Sequence, residues 1–272
     1  MLEILQFEFM RNALLAGLLA SIACGVIGTL VVVNRIVFIS GGIAHAAYGG
    51  IGVSLFFGIA PLLGIGGFSL LIAAIMAVVT FENRQRSDTV IGVLWAFGMA
   101  LGVILTDLTP GYNVDLMSYL FGSILAVPRS DIWLMLVLDA VILLIVVLFY
   151  KDFLAISFDE EFARAMGVPV KLLYSLLLAM IALFVVMVVR VVGLILVIAL
   201  LSIPPYIAEK YSLSMKSMMF TSCLLSIVFV ALGLGISYFF NLTSGASIIM
   251  VAASCFFISP IFAGLRKALP KT

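Results

Sequence analysis

The chain has 272 residues, of which 65% are hydrophobic and only 10% are charged, and its formal net charge at pH 7 is +1. Its mean hydropathy of +1.37 is far above that of a soluble domain, in which roughly half of the residues are apolar. These values exclude a soluble protein and indicate a single polytopic membrane domain over residues 1–272, surrounded by lipid and without a nucleic-acid partner.

Apolar runs recur along the chain, and many reach the ~20 residues that a helix needs to cross a ~30 Å hydrocarbon core. We therefore expect an all-α helical bundle with about nine transmembrane spans. The predicted spans cover residues 12–33, 41–58, 62–81, 89–107, 131–150, 172–189, 191–207, 217–240 and 245–264. Two spans would meet almost without a loop at Arg190–Gly193, so one of them could be a partial helix and the count could be eight.

A shorter apolar segment, Val114–Val127, lies between Pro110-Gly111 and Pro128. It is too short to cross a bilayer comfortably, and prolines and glycines at its borders end regular helices. The pattern predicts a re-entrant or interfacial helix.

The basic residues are distributed unevenly between the predicted loops. If Arg35 faces the cytoplasm, the same side collects most of the 14 lysines and arginines: Arg35, Arg84, Arg86, Lys151, Arg164, Lys171, Lys210, Lys216, Arg266, Lys267 and Lys271. Because cytoplasmic loops of membrane proteins are enriched in Lys and Arg, this bias predicts an extracytoplasmic N-terminus and a cytoplasmic C-terminus.

The only histidine of the chain, His45, lies in the glycine-rich stretch Ile39–Gly52. A helix here places Gly41, His45 and Gly49 at four-residue spacing, and small residues allow neighbouring helices to approach closely. Ionisable side chains within membrane spans tend to be functional. The stretch therefore predicts a passage lined by His45 and glycines (Gly41, Gly42, Gly49 and Gly50); the alternative is a packing face whose histidine bonds a carbonyl group.

The longest loop on the predicted cytoplasmic side, Lys151–Lys171, carries Asp152, Asp159, Glu160, Glu161 and Arg164. Within it, the apolar residues Phe158, Phe162, Ala165 and Met166 fall near one face of a helix and the acids fall on the other. This pattern is typical of a short amphipathic helix that lies flat under a membrane, although an ordinary surface helix capped by Asp159 has the same pattern.

Several stretches resemble the permease subunits of bacterial zinc, manganese and iron ABC importers, most closely the high-affinity zinc-uptake permease. In chain order they are NRIVFISGGIAHAAYGGIG (34–52), VDLMSYLFGSILAV (114–127), the Glu161, Ala163, Gly167 spacing of the long loop, VGLILVIALLSIPPYIA (192–208) and TSGASIIMVAASCFFIS (243–259). Together they cover the chain from end to end in the order expected for this family.

The resemblance implies an inner-membrane permease that carries a divalent metal and holds no cofactor stably. It also implies a homodimer of permeases, a cytoplasmic ATPase that docks on the long loop, and an extracytoplasmic metal-binding protein. The residues implied in ATPase coupling are Asp159, Glu160, Glu161, Ala163 and Gly167.

His45 matches the metal-path motif of the family, but the aspartate that often precedes this histidine by four residues is replaced by Gly41. His45 must then work with ligands from other helices, or the metal passes with fewer protein contacts. Asp115, in a matched segment, and Asp139, near the middle of a span, are the further candidates for metal contact. Asp139 could equally be a carboxylate that serves helix packing.

Two other functions fit an apolar bundle with a histidine. A self-contained secondary cation transporter or channel would have no need of the long amphipathic loop. An intramembrane metalloprotease would need more zinc ligands than one histidine supplies. The sequence has no Gly-x-x-x-x-Gly-Lys-Ser/Thr phosphate loop, so the chain is not expected to be an enzyme, and a permease of this kind would depend on another subunit for ATP hydrolysis.

Overall fold

The computed structural model describes residues 6–82, 87–110, 124 and 127–268, and these residues form helices and no strand. The helices in chain order are α1 (Glu8–Val33), α2 (Val37–Phe57), α3 (Pro61–Glu82), α4 (Ser87–Asp107), α5 (Arg129–Leu148), α6 (Tyr150–Phe158), α7 (Glu160–Ala165), α8 (Val170–Val192), α9 (Leu194–Glu209), α10 (Met215–Phe240) and α11 (Ser244–Ala268). The all-α prediction is confirmed for this part of the chain.

Seven of these helices, α1 to α5, α8 and α10, are long and apolar enough to cross a membrane. Two further apolar helices have fewer than 18 residues in the part of the chain that the structure describes in full. They are α9 and the Ser244–Pro260 part of α11. At 1.5 Å per residue, the 16 residues of α9 reach only ~24 Å. Every predicted span therefore coincides with an apolar helix, while the count of nine crossings stays a prediction.

The joint between α8 and α9 consists of the single residue Gly193, which has φ 82° and ψ 162°. Residues with a Cβ atom almost never adopt these angles. Glycine thus lets one helix end and the next begin without a loop, as the sequence suggested for Arg190–Gly193, and the second helix is the short one.

Helix α9 occupies the centre of the bundle, where it packs against α1, α2, α10 and α11. Its two internal prolines, Pro204 and Pro205, have no N–H group, so the carbonyl groups of Leu200 and Leu201 lose their helical donors. A Cβ atom at Gly28 of α1 would lie 2.6 Å from the Leu201 carbonyl oxygen. Glycine is therefore required where α1 crosses the proline turn.

The loop Lys151–Lys171 is largely helical: α6 follows α5 directly, and α7 follows α6 after Asp159. The Asp159 carboxylate accepts a hydrogen bond of 2.9 Å from the backbone N–H of Phe162, which caps α7. Gly167, at φ 83°, lies just beyond the end of the helix. The predicted short helix is present, and α6 is an additional helix where the sequence predicted only a loop.

The predicted apolar face of α7 does not pack against the helices of its own chain. Phe158, Phe162 and Met166 are 82%, 61% and 70% exposed, whereas Ala163 on the opposite side is fully buried. The helix therefore contacts the bundle through its small residue and presents its large apolar residues outward.

The predicted re-entrant helix Val114–Val127 lies almost entirely outside the described residues. Of its residues, Ile124 is buried to 1% exposure, and the Val127 carbonyl oxygen accepts a hydrogen bond of 3.2 Å from the Asn12 side chain of α1. The end of the segment is thus fixed to the first span.

Candidate metal site around His45

His45 lies on α2, which crosses α4 at very short range. A Cβ atom at Gly98 of α4 would lie 2.6 Å from the Cα atom of Ala46, and one at Gly102 would lie 2.5 Å from the Tyr48 carbonyl oxygen. Real Cβ atoms do not come so close to backbone, so the crossing needs glycine at both positions. This contact brings α2 directly against α4 just after His45, at Ala46 and Tyr48.

Three of the four glycines predicted to line a passage are packing positions. A Cβ atom would lie 2.5 Å from Ile91 at Gly42, 2.7 Å from Phe68 at Gly49 and 2.6 Å from the Ile65 backbone at Gly50. They are thus covered by α3 and α4.

Gly41 differs from the other three glycines. A Cβ atom there meets only the flexible end of Ile198 on α9, at 3.5 Å, which is an ordinary van der Waals distance. The face of α2 that carries Gly41 is turned toward α9, and a Cβ atom fits there without a close contact.

The imidazole of His45 stacks on the indole of Trp95 in α4. The ring centroids are 4.1 Å apart and the planes are inclined by only 10°. His45 is partly exposed, and its Nδ1 atom is buried without a hydrogen-bond partner among the described residues. A hydrogen bond from Nδ1 to a carbonyl group is thus not present among the described residues.

The other candidate metal residues lie elsewhere. Asp115 falls outside the described residues. Asp139 lies on α5, which packs against α1 and α8, whereas the neighbours of α2 are α3, α4, α8 and α9. The Asp139 carboxyl is 3% exposed, and both of its oxygens lack a hydrogen-bond partner in the described part of the chain. The structure therefore does not join Asp139 to His45.

Among the described residues, no group of three or more His, Cys, Asp or Glu side chains could hold a metal ion. The nearby hydroxyl of Ser40 donates a hydrogen bond of 2.8 Å to the Val37 carbonyl oxygen, and it is fully buried. Within the described part of the chain, His45 is therefore not joined by two further His, Cys, Asp or Glu side chains in a preformed metal site.

A cavity of about 450 Å³ begins two turns before His45 on α2. Its lining includes Asn34, Arg35, Asp88 and Glu160. Ile91 lines the cavity and also lies over Gly42, so the cavity and the surroundings of His45 are adjacent along α2 and α4. Glu160, the first residue of α7, brings the pair of short helices α6 and α7 to the same cavity.

The five residues expected to couple to an ATPase lie together on and next to α7. Asp159 caps the helix, Glu160 forms a salt bridge of 2.9 Å with Arg164, and Ala163 packs against the bundle. Glu161 and Gly167 are exposed. The five residues are thus neighbours, with Ala163 facing the bundle and Asp159, Glu161 and Gly167 exposed.

Sequence reasoning missed Trp95. It lies fifty residues from His45 along the chain, and no motif connects the two. A tryptophan near small residues in a predicted span was the only available signal.

This architecture, an apolar bundle of long helices with two short helices after α5, is that of a multi-pass membrane protein. The sequence model of the ABC 3 transport family matches residues 6–263, and the chain belongs to that family.

Named relatives agree with this assignment. An uncharacterized membrane protein of Synechocystis sp., slr2045, is 55% identical over 262 residues, covering 96% of this chain and 93% of the relative. The manganese transport system membrane protein MntC of Listeria monocytogenes is 34% identical, with 96% and 92% covered. The solved structure of PsaBC from Streptococcus pneumoniae in complex with Fab contains a chain that is 37% identical, with a TM-score of 0.85 and 95% and 93% covered.

The resemblance noted in the sequence was nearest to zinc permeases. Of these three relatives, MntC is named for manganese transport and none is named for zinc.

Proposed function

We propose that this chain is the membrane-spanning permease of an ATP-driven importer of divalent transition metal ions. The observation that carries the proposal is family membership over residues 6–263 together with the lone histidine of the chain, set where α2 and α4 meet with Nδ1 unpartnered. Imidazole nitrogen is a common ligand of first-row transition metals. His45 would contact the metal as it passes.

Manganese is the first ion to test, because relatives that are 31–34% identical are named for manganese transport; zinc and iron come next. The absence of a carboxylate at Gly41 leaves fewer oxygen ligands than Mn²⁺ prefers. We infer that further oxygen ligands come from other helices or from retained water, and Asp115 stays a candidate for such a ligand on the predicted extracytoplasmic side. Asp139 also remains a candidate, at a separate point of the bundle.

The exposed apolar side of α7 is the proposed docking surface for the ATPase. Three large apolar side chains, Phe158, Phe162 and Met166, lie exposed next to Glu161. Such residues on a loop outside the membrane spans are unfavourable in water and typical of a buried interface. A secondary cation carrier would have no use for this surface, so it favours an ATPase-driven permease.

Movement of α7 would reach α2 through the turn between α1 and α2. The Asn34 side chain donates hydrogen bonds to the Leu30 carbonyl oxygen at 2.8 Å and to the Ser157 hydroxyl at 2.9 Å. It thus connects the end of α6 to the turn that begins α2. Displacement of α6 and α7 would shift α2 and reshape the cavity near Ile91, which gives alternating access to the two sides.

The full transporter would contain two permeases, two ATPase subunits and an extracytoplasmic metal-binding protein. It would lie in the cytoplasmic membrane with the N-terminus outside and the C-terminus in the cytoplasm, as the distribution of basic residues predicts.

The docking surface can be tested by co-purification of the permease with its ATPase after Phe162→Glu. The matched control is Leu213→Glu, because Leu213 is fully exposed in a loop on the same predicted side. We expect Phe162→Glu to abolish association and Leu213→Glu to retain it. Equal recovery of the ATPase with both variants would argue against this surface.

A further inference from the structure

We propose that Trp95 is a positioning residue for metal transport: it holds the imidazole of His45 in the orientation that meets the transported cation. The inference rests on the proposed role of His45 and adds the residue that makes that role possible. It is carried by the ring stack between α2 and α4 and by the hydrogen-bonding state of His45.

A histidine that binds a metal through one nitrogen is normally oriented by a hydrogen bond from the other nitrogen to a carboxylate, a carbonyl group or water. In His45 the buried Nδ1 atom has no such partner among the described residues. Rotation of the ring about its side-chain bonds must then be limited by packing. The face of Trp95, parallel to the imidazole within 10° and 4.1 Å away between centroids, supplies that restraint.

Stacking also determines the direction from which a cation can approach. The indole covers one face of the imidazole, so a cation would reach the ring in its plane, where the lone pair of the unprotonated nitrogen lies. An aromatic face attracts positive charge. The stacking interaction with Trp95 is therefore stronger when the imidazole carries a bound cation.

Trp95 is itself held in place. Its indole N–H group donates a hydrogen bond of 3.0 Å to the Met99 sulfur, one helical turn further along α4. The backbone contact between Gly98 and Ala46 fixes the separation of the two helices beside it. The three residues His45, Trp95 and Met99 thus form a series in which each restrains its neighbour.

The stack can be observed directly by tryptophan fluorescence, because the chain has only two tryptophans. In a Trp133→Phe background Trp95 is the sole emitter, and we expect Mn²⁺ to change its emission in a saturable way in the purified transporter. The response should disappear with His45→Gln. A Trp95 emission that does not respond to Mn²⁺ in a variant that transports normally would overturn the inference.

Transport assays separate positioning from general packing. We expect Trp95→Leu to raise the half-saturating Mn²⁺ concentration by about ten-fold, as is typical when the partner that orients a metal-binding histidine is lost. Trp95→Phe keeps a flat ring and should restore most of the affinity. Phe97→Leu, which changes an exposed aromatic residue of the same helix, is the control and should have no effect.

The two levels of the proposal fail in different ways. If His45→Gln impairs uptake while Trp95→Leu behaves like Phe97→Leu, the positioning role is wrong and the ligand role stands. If His45→Gln transports like the wild type, the ligand role is wrong and the positioning role falls with it.

Discussion

The close crossing of α2 and α4 predicts a large effect from a single methyl group at Gly98. A Cβ atom there would lie 2.6 Å from Cα, 2.7 Å from O and 2.9 Å from Cβ of Ala46. None of these atoms can rotate away. To reach the 3.4 Å at which ordinary contact begins, the helices must separate locally by about 0.8 Å.

Overpacking of this kind typically costs about 1–3 kcal/mol. Gly92 of the same helix is the matched control, because a Cβ atom there meets nothing within 4 Å. Replacing a mid-helix glycine by alanine usually stabilises by about 0.5–1 kcal/mol. The free energies of unfolding of Gly98→Ala and Gly92→Ala should therefore differ by about 1.5–4 kcal/mol. Gly98→Ala should be less stable than the wild type and Gly92→Ala more stable.

The assay is thermal unfolding of the purified protein in detergent, together with Mn²⁺ uptake at equal expression. We expect Gly98→Ala to unfold at a lower temperature and to lose uptake, since the shift also separates Trp95 from His45. If Gly98→Ala and Gly92→Ala unfold at the same temperature, the account of this crossing is refuted.

Three further predictions concern other parts of the chain. Because Gly167 has φ 83°, Gly167→Leu should strain the end of α7 by about 1–2 kcal/mol and weaken association with the ATPase. Gly167→Asn should have a milder effect. Equal ATPase association of the two variants would contradict this. With the native cysteines replaced, a cysteine at Ser87 should be protected from an impermeant thiol reagent outside intact cells, and one at Asn241 should be labelled. The reverse pattern would show that the chain has the opposite orientation in the membrane. Asp139→Leu should stabilise the protein by about 1–3 kcal/mol, because it removes a buried carboxyl group without a partner, and a less stable variant would point to a partner that the described residues do not include.

The sequence predicted the helical class, the position of every apolar helix and the short helix after Asp159, because these depend on local features: apolar run length, capping and helix-ending glycine and proline residues. It also pointed to Gly193 as a joint without a loop. The nearly continuous run of α5 into α6 escaped notice, since charged residues at a membrane boundary resemble a loop in composition.

The surroundings of His45 were harder to predict because they depend on which helices meet. The glycine pattern indicated close packing, but not that Gly42 and Gly49 face α3 and α4 while Gly41 faces α9. The Trp95 stack joins residues with no sequence relation. Contacts of this kind are set by tertiary packing, which periodicity does not encode.

The central claim is tested most directly by ⁵⁴Mn²⁺ uptake into vesicles that contain this permease with its ATPase and metal-binding protein. We predict ATP-dependent uptake that falls strongly with His45→Gln at normal expression, most of all at limiting Mn²⁺. Gly41→Asp, whose Cβ atom would meet only the flexible end of Ile198, should retain or improve this uptake. Uptake in His45→Gln with the kinetics of the wild type would contradict the account.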